Sequence, residues 1–290
     1  MTYLLLSILS STLIYVVFKL FPRYGVQTLQ AIVFNYWMAF LFGLSLVDMS
    51  QISAYPSYEW KWLVPIEGVL FIAIFNVMAL TVQKHSVTVG SVASRTAMII
   101  PAGVFMFLEP ENAFSIYKVI GIILACLAVY LSSKRDKQHE IDKRYFYLPL
   151  ILFIGSGTID LLIGYAETHL MQSSDEILMF TPGIFLIAGL IGTAILIYRY
   201  RVTKDIKWQW KDVIGGMILG LINYSSLYFI LKAMNSKLLD PAIFFPVNHM
   251  GIIAAGILVG LIAFKERISV VNWVGIGLGL VAILLMTWVN

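Results

Sequence analysis

Of 290 residues, 60% are hydrophobic and 12% charged, and the mean hydropathy is +0.86. Soluble domains carry about a quarter charged residues, which they need to cover their surface, so an ordinary water-soluble globule is excluded. The formal charge of +4 does not indicate nucleic acid, because the basic residues are scattered through short loops that border apolar stretches.

Those stretches run to about twenty residues, enough to cross a hydrocarbon core roughly 30 Å thick. In chain order the expected spans are approximately 3–21, 28–47, 62–82, 87–108, 114–132, 146–168, 176–198, 212–233, 241–263 and 270–289. The expected fold is therefore an all-α integral membrane protein with ten transmembrane helices. Lys19, Phe21, Pro22 and Arg23 follow the first span where a signal peptide would have small residues, so it reads as a retained helix. The single cysteine, Cys126, lies in the fifth stretch. It offers neither a disulfide framework nor a cysteine metal site and is expected to be a small packing residue.

The loops carry a sidedness. Lys19, Arg23, Lys84, the run from Lys134 to Arg144, the run from Arg199 to Lys211, Lys265 and Arg267 fall on one side of a ten-span chain. The other side holds little more than Lys61, Lys118, Lys232 and Lys237. The positive-inside rule makes the basic side cytoplasmic and puts both termini outside, in a multi-pass protein of the cell inner (plasma) membrane. In the loop from Arg201 to Lys211, Trp208 and Trp210 stand beside lysines, as in an interfacial aromatic belt.

The two halves of the chain match each other at an offset that drifts. Thr12 meets Thr158, Gln30 meets Glu176 and Gly43 meets Gly189 at 146 residues; Gly68 meets Gly215 and Asn76 meets Asn223 at 147; Gly121 meets Gly275 at 154. Such drift is expected of one duplicated unit whose loops have changed length. The division is a first five-helix repeat over 1–132, a charged linker over 133–145 and a second repeat over 146–290. Five is odd, so the second copy enters the membrane from the opposite side. Two inverted repeats around a central cavity are a recurrent transporter design, since equivalent gates can then open in turn.

Ionisable groups at membrane depth are costly and usually face a cavity or a partner. Arg95 falls in the fourth span, Asp160 in the sixth, and Asn248 and His249 in the ninth. Asn35, Asn76, Asn223 and Tyr224, with Thr12 and Thr158, lie at similar depth. The forked donors of Arg95 suit a carboxylate or phosphate, so all eight residues from Asn35 to His249, the two threonines apart, are expected to line a substrate site. Asp160 or His249 would couple transport to protons. The competing reading is an Arg95–Asp160 ion pair that fixes helix packing, with the asparagines as interhelical hydrogen bonds. Both hold if substrate competes for the guanidinium. Pro101, Pro182 and Pro246 are candidates for unwinding their helices, whereas Pro241 is placed to start one. Gly216 with Gly220, and Gly275 with Gly279, permit close helix approach within a monomer or across a homodimer.

The terminal run Phe264-Lys265-Glu266-Arg267-Ile268-Ser269, followed by Gly275 and a glycine-spaced last helix, resembles the drug/metabolite transporter superfamily in its EamA-like ten-helix branch. Tyr228-Phe229-Ile230-Leu231-Lys232-Ala233 is similar to a helix end of that branch, and the likeness covers nearly the whole chain. The first repeat departs from it, with Leu108-Glu109-Pro110-Glu111-Asn112 in place of the Glu-Arg turn. The resemblance implies two units around a central cavity and export or exchange of metabolites. It also implies both termini cytoplasmic, against the charge distribution. The expected function is secondary transport of a small polar metabolite, such as an amino acid or organic anion, by alternating access. No cofactor and no nucleic-acid partner are expected, and no nucleotide-binding motif supplies ATP. A lipid enzyme would need a nucleophile with a base or a metal cluster, yet His85, His139, His169 and His249 are dispersed. A non-transporting sensor or assembly subunit is the remaining alternative.

Overall fold

A computed structural model describes residues 2–48, 52–53, 55–108, 116–133, 145–173, 176–235 and 241–288. The charged linker and the Glu109–Asn112 turn of the first half lie almost wholly outside these residues. The α-helices are α1 (Thr2–Tyr24), α2 (Thr28–Leu44), α3 (Leu63–Lys84), α4 (Val87–Thr96), α5 (Ile99–Leu108), α6 (Ile116–Ser133), α7 (Leu148–Tyr165), α8 (Ile177–Tyr198), α9 (Trp210–Asn235), α10 (Pro241–Ile262) and α11 (Val270–Trp288). Among the described residues there is no strand. Single π-helical turns prolong α7 over Ala166–Leu170 and α8 over Arg199–Thr203.

Among the described residues, five helical segments are long and apolar enough to cross a membrane: Thr2–Tyr24, Glu59–Lys84, Leu148–Leu170, Ile177–Thr203 and Trp210–Ile230. Others, among them Thr28–Leu44 and Val247–Ile262, are apolar but shorter. The chain is an all-helical membrane protein. Its side chains are distributed for a solvent of hydrocarbon rather than water. On α1, Leu5, Leu9 and Leu13 are exposed at four-residue spacing, while Ser7, Ser10 and Ser11 are buried. Exposed Ile214, Ile218 and Leu221 repeat the pattern on α9, and Ile120, Ile123 and Leu127 repeat it on α6. In lipid the apolar face costs nothing to expose, and the hydroxyls find partners inside. Cys126 is exposed too, contrary to the expectation of a packed residue.

The chain divides into two compact units that do not follow its sequence halves. The first comprises Met1–Lys19, Val77–Leu161 and Ser226–Asn290; the second comprises Leu20–Asn76 and Leu162–Ser225.

In the first unit α6 packs along α11, and α4 packs on α6 and α10. A Cβ on Gly275 would meet the backbone of Leu131 and Ser132 at 2.9 and 2.5 Å, and one on Gly279 would meet Thr96 Cγ2 at 3.1 Å. The helix ends are tied by side chains. Ser269 caps α11, its Oγ accepting from Asn272 N at 3.2 Å while Asn272 Oδ1 accepts from Ser269 N at 3.0 Å. This is the reciprocal geometry of a capping box, with Asn in the usual Glu/Gln place. Asn272 Nδ2 then donates to Leu131 O (3.1 Å) and Ser132 O (2.9 Å). One side chain thus satisfies the start of α11 and the end of α6.

In the second unit α2 packs along α8, with Trp37 Nε1 donating to Thr193 Oγ1 at 2.9 Å. Gly216 and Gly220 of α9 sit against the backbone of Ala31 and Asn35 on α2, so the close approach is made within the monomer. Trp60, fully buried before α3, donates to Glu176 Oε2 at 2.6 Å, and Glu176 Oε1 accepts from Gln172 N and Ser173 N.

The prolines behave differently from one another. α8 runs unbroken through Pro182 and α10 through Pro246, so neither is the unwinding point expected of it. Pro241 is the first residue of α10, as a proline without an N–H to bond should be. Pro101 does coincide with a break, described next.

Candidate functional site

The expected fourth span is two helices. α4 ends at Thr96, two turn residues follow, and α5 begins at Ile99. The interruption falls four residues before Pro101, because a proline ring has no N–H to offer that carbonyl and clashes with it. The Ala97 carbonyl is taken up by a tighter bond from Ile100 N at 2.9 Å. Arg95 is in the last turn of α4, where the negative end of the helix dipole favours a cation.

α4 is held rigidly. Ser86 caps it through Val89 N, and the Glu266 carboxylate accepts from Val87 N at 2.8 Å, Thr88 N at 3.3 Å and Thr88 Oγ1 at 3.0 Å. Lys19 Nζ lies 3.9 Å from Glu266 and donates to Val82 O at 3.0 Å. Further along, Tyr15 and Ser94 share a 2.6 Å hydrogen bond. Gly256 and Gly260 of α10 leave room for Ser91 and Thr88.

α7 reaches the break through Gly157, where a Cβ would lie 2.8 Å from Ala97 O and 2.4 Å from Ile100 Cδ1. Asp160 stands three residues on, on the same helix face. The charge of Arg95 acts on both the Asp160 carboxyl and the His249 imidazole. Yet among the described residues Arg95 makes neither a hydrogen bond nor an ion pair, and its Nε is buried without a partner. The competing reading, a direct Arg95–Asp160 pair, is therefore not met at contact distance: the ion pairs among described residues are Lys19–Glu266 and Arg199–Asp205. On α10, Asn248 Oδ1 accepts from Ser7 Oγ of α1 at 3.2 Å, while Asn248 Nδ2 and His249 Nδ1 are buried without partners among the described residues. Four of the eight expected residues, Arg95, Asp160, Asn248 and His249, thus belong to the first unit, and several carry unused hydrogen-bonding capacity.

The other four belong to the second unit. Asn223 Nδ2 donates to Asn35 Oδ1 at 3.2 Å, and Asn35 Nδ2 donates to Ile32 O at 3.4 Å. Asn76 instead bonds back to Ile72 O of its own helix at 2.7 Å, so the duplicated asparagines Asn76 and Asn223 do different things. Tyr224 packs edge-on against Phe42 at 5.3 Å, beside Gly43. Thr12 and Thr158 each bond to a carbonyl one turn back in their own helices. Ser7 and Tyr15 escaped the sequence reading, and Lys19 was read there only as a loop charge. For Ser7 the signal was the serine spacing on α1, Ser7, Ser10 and Ser11, which hydropathy alone does not weigh.

No family model matches the chain. It is 27% identical, over 99% of its own length and 98% of the other's, to an uncharacterized protein of Haemophilus influenzae. That similarity extends along the whole chain and carries no function with it.

Proposed function

We propose that the chain is a secondary transporter of the drug/metabolite type, with ten spans in two inverted five-helix repeats. It carries a small polar metabolite with an anionic group, an amino acid or organic anion, by alternating access in export or exchange. The observation that carries this is Arg95: a guanidinium at a helix break, at membrane depth, with its Nε buried and no hydrogen bond or ion pair among the described residues. Leaving such a group unpaired is expensive, and a carboxylate or phosphate is the ligand whose geometry uses the fork. Asp160 and His249, within its field, are the candidates for proton coupling.

The repeat is supported by which helices pair. α2 with α8, and α6 with α11, are the second and seventh and the fifth and tenth expected spans. Each helix packs on its own counterpart, as elements beside a two-fold axis do.

The direct test is counterflow. Proteoliposomes loaded with unlabelled metabolites, class by class, accumulate the labelled form of the matching class against its gradient; the absence of counterflow for every anionic and zwitterionic class sinks the proposal.

The charge distribution supports basic loops in the cytoplasm and both termini outside. In a Cys126→Ser background, an impermeant maleimide applied to intact cells should label Ser174→Cys and spare Lys137→Cys. The opposite pattern reverses the orientation.

A further inference from the structure

Beyond the end of α8, a single π-helical turn, Arg199–Thr203, leads into a loop that borders an open recess of about 460 Å³ lined by Tyr200, Arg201, Lys204 and Ile206. The loop is built, not slack. Ile206 is buried with Val33 and Leu196, and Gln30 Nε2 donates to Lys207 O at 3.2 Å. Trp208 packs against Phe34 and Tyr200 at centroid distances of 6.3 and 6.4 Å. Lys204 is held in the left-handed region at φ 53°, its N–H donating to Arg199 O at 2.8 Å. A lysine is seldom placed there, since its Cβ crowds the backbone.

The charges are unevenly committed. Arg199 is taken by Asp205, which also accepts from Thr203 at 2.6 Å. These bonds, that from Arg199 foremost, hold the Asp205 carboxyl down to about 2. Arg201 and Lys204 have no such partner among the described residues, and both are exposed on the recess. The flank is apolar: Ile197, Tyr198 and Val202 are exposed on and just beyond α8, and Trp210 is 82% exposed.

We propose that this recess binds the headgroup phosphate of an anionic phospholipid, Arg201 and Lys204 taking the phosphate and the exposed Ile197–Val202 flank taking an acyl chain. A cationic rim above an apolar flank, beside an aromatic belt, matches an amphiphile. A soluble phosphate would use the rim alone and leave the flank idle.

The test is thermal melting of the purified full chain in mixed micelles with phosphatidylglycerol, with phosphatidylcholine, or with inorganic phosphate at matched ionic strength. A ligand of the native state raises the apparent melting temperature. Phosphatidylglycerol should stabilise the wild type beyond phosphatidylcholine, and inorganic phosphate should not. Arg201→Gln with Lys204→Gly should weaken apparent phosphatidylglycerol binding about 30-fold, two basic contacts being lost. Glycine suits φ 53°, so the fold in phosphatidylcholine should melt no lower than wild type. Arg201→Lys with Lys204→Arg, which preserves charge, should keep the preference and covers failure of the first variant to fold. Equal stabilisation by the two lipids overturns the proposal, as does a preference that survives loss of both charges. An equal effect of inorganic phosphate assigns the recess to a soluble anion instead.

Discussion

Arg95→Ala is expected to weaken concentrative uptake of whichever solute gives counterflow by roughly tenfold or more, and to do so in a protein that still folds. The two halves of that expectation have separate causes. A hydrogen-bonded contact between a charged group and its ligand contributes about 1.5–3 kcal/mol, so losing the guanidinium should weaken binding roughly 10- to 150-fold. Arg95→Lys should recover only part of this, since an ammonium cannot offer two parallel donors. Stability should be unharmed because Arg95 makes no hydrogen bond or ion pair among the described residues. Removing a half-buried cation whose Nε has no partner among the described residues lifts a cost of the folded state, the usual exchange of stability for function at a binding site. Size-exclusion behaviour and melting temperature, measured beside uptake, decide the matter. Normal uptake by Arg95→Ala removes Arg95 from the site, and collapse of the fold makes it a structural residue.

The largest expected effect on folding is at Gly216. A Cβ there would sit 2.5 Å from Ala31 O and 2.5 Å from Phe34 Cβ. The first of these is backbone in the first turn of α2, which cannot step aside as a long side chain would. Overpacking costs about 1–3 kcal/mol even where side chains can adjust. Gly216→Val should therefore lose most folded protein, and Gly216→Ala should melt measurably lower. Gly277 is the control, with nothing within 4 Å of its Cβ position. Gly277→Ala should be neutral or gain up to about 1 kcal/mol from helix propensity. If the two alanine variants melt alike, the α2–α9 approach is looser than these distances imply.

Glu266 illustrates how motif and role separate. Its run of sequence drew notice as a resemblance, while its work is local: it accepts the first N–H groups of α4 and faces Lys19. The duplicated asparagines make the opposite point. Asn76 and Asn223 are in register, but Asn223 reaches Asn35 whereas Asn76 closes on its own helix. Side-chain partners depend on which neighbouring helix is close, and a one-dimensional register does not contain that.

The all-helical membrane class and the places of most helices were determined by the sequence itself, because hydrocarbon demands that each apolar segment satisfy its own backbone bonds, and only a helix does so within one segment. Hydropathy and local proline chemistry also placed the start of α10 and brought Pro101 under suspicion. Which proline interrupts its helix, that Arg95 stands apart from Asp160 rather than locked to it, and that the eight polar residues divide between two compact units were decided by tertiary packing. Those outcomes depend on distances between segments far apart in the chain, such as Gly157 against Ala97 and Ser7 against Asn248, and the interactions that set them are too weak and too numerous to be read one helix at a time.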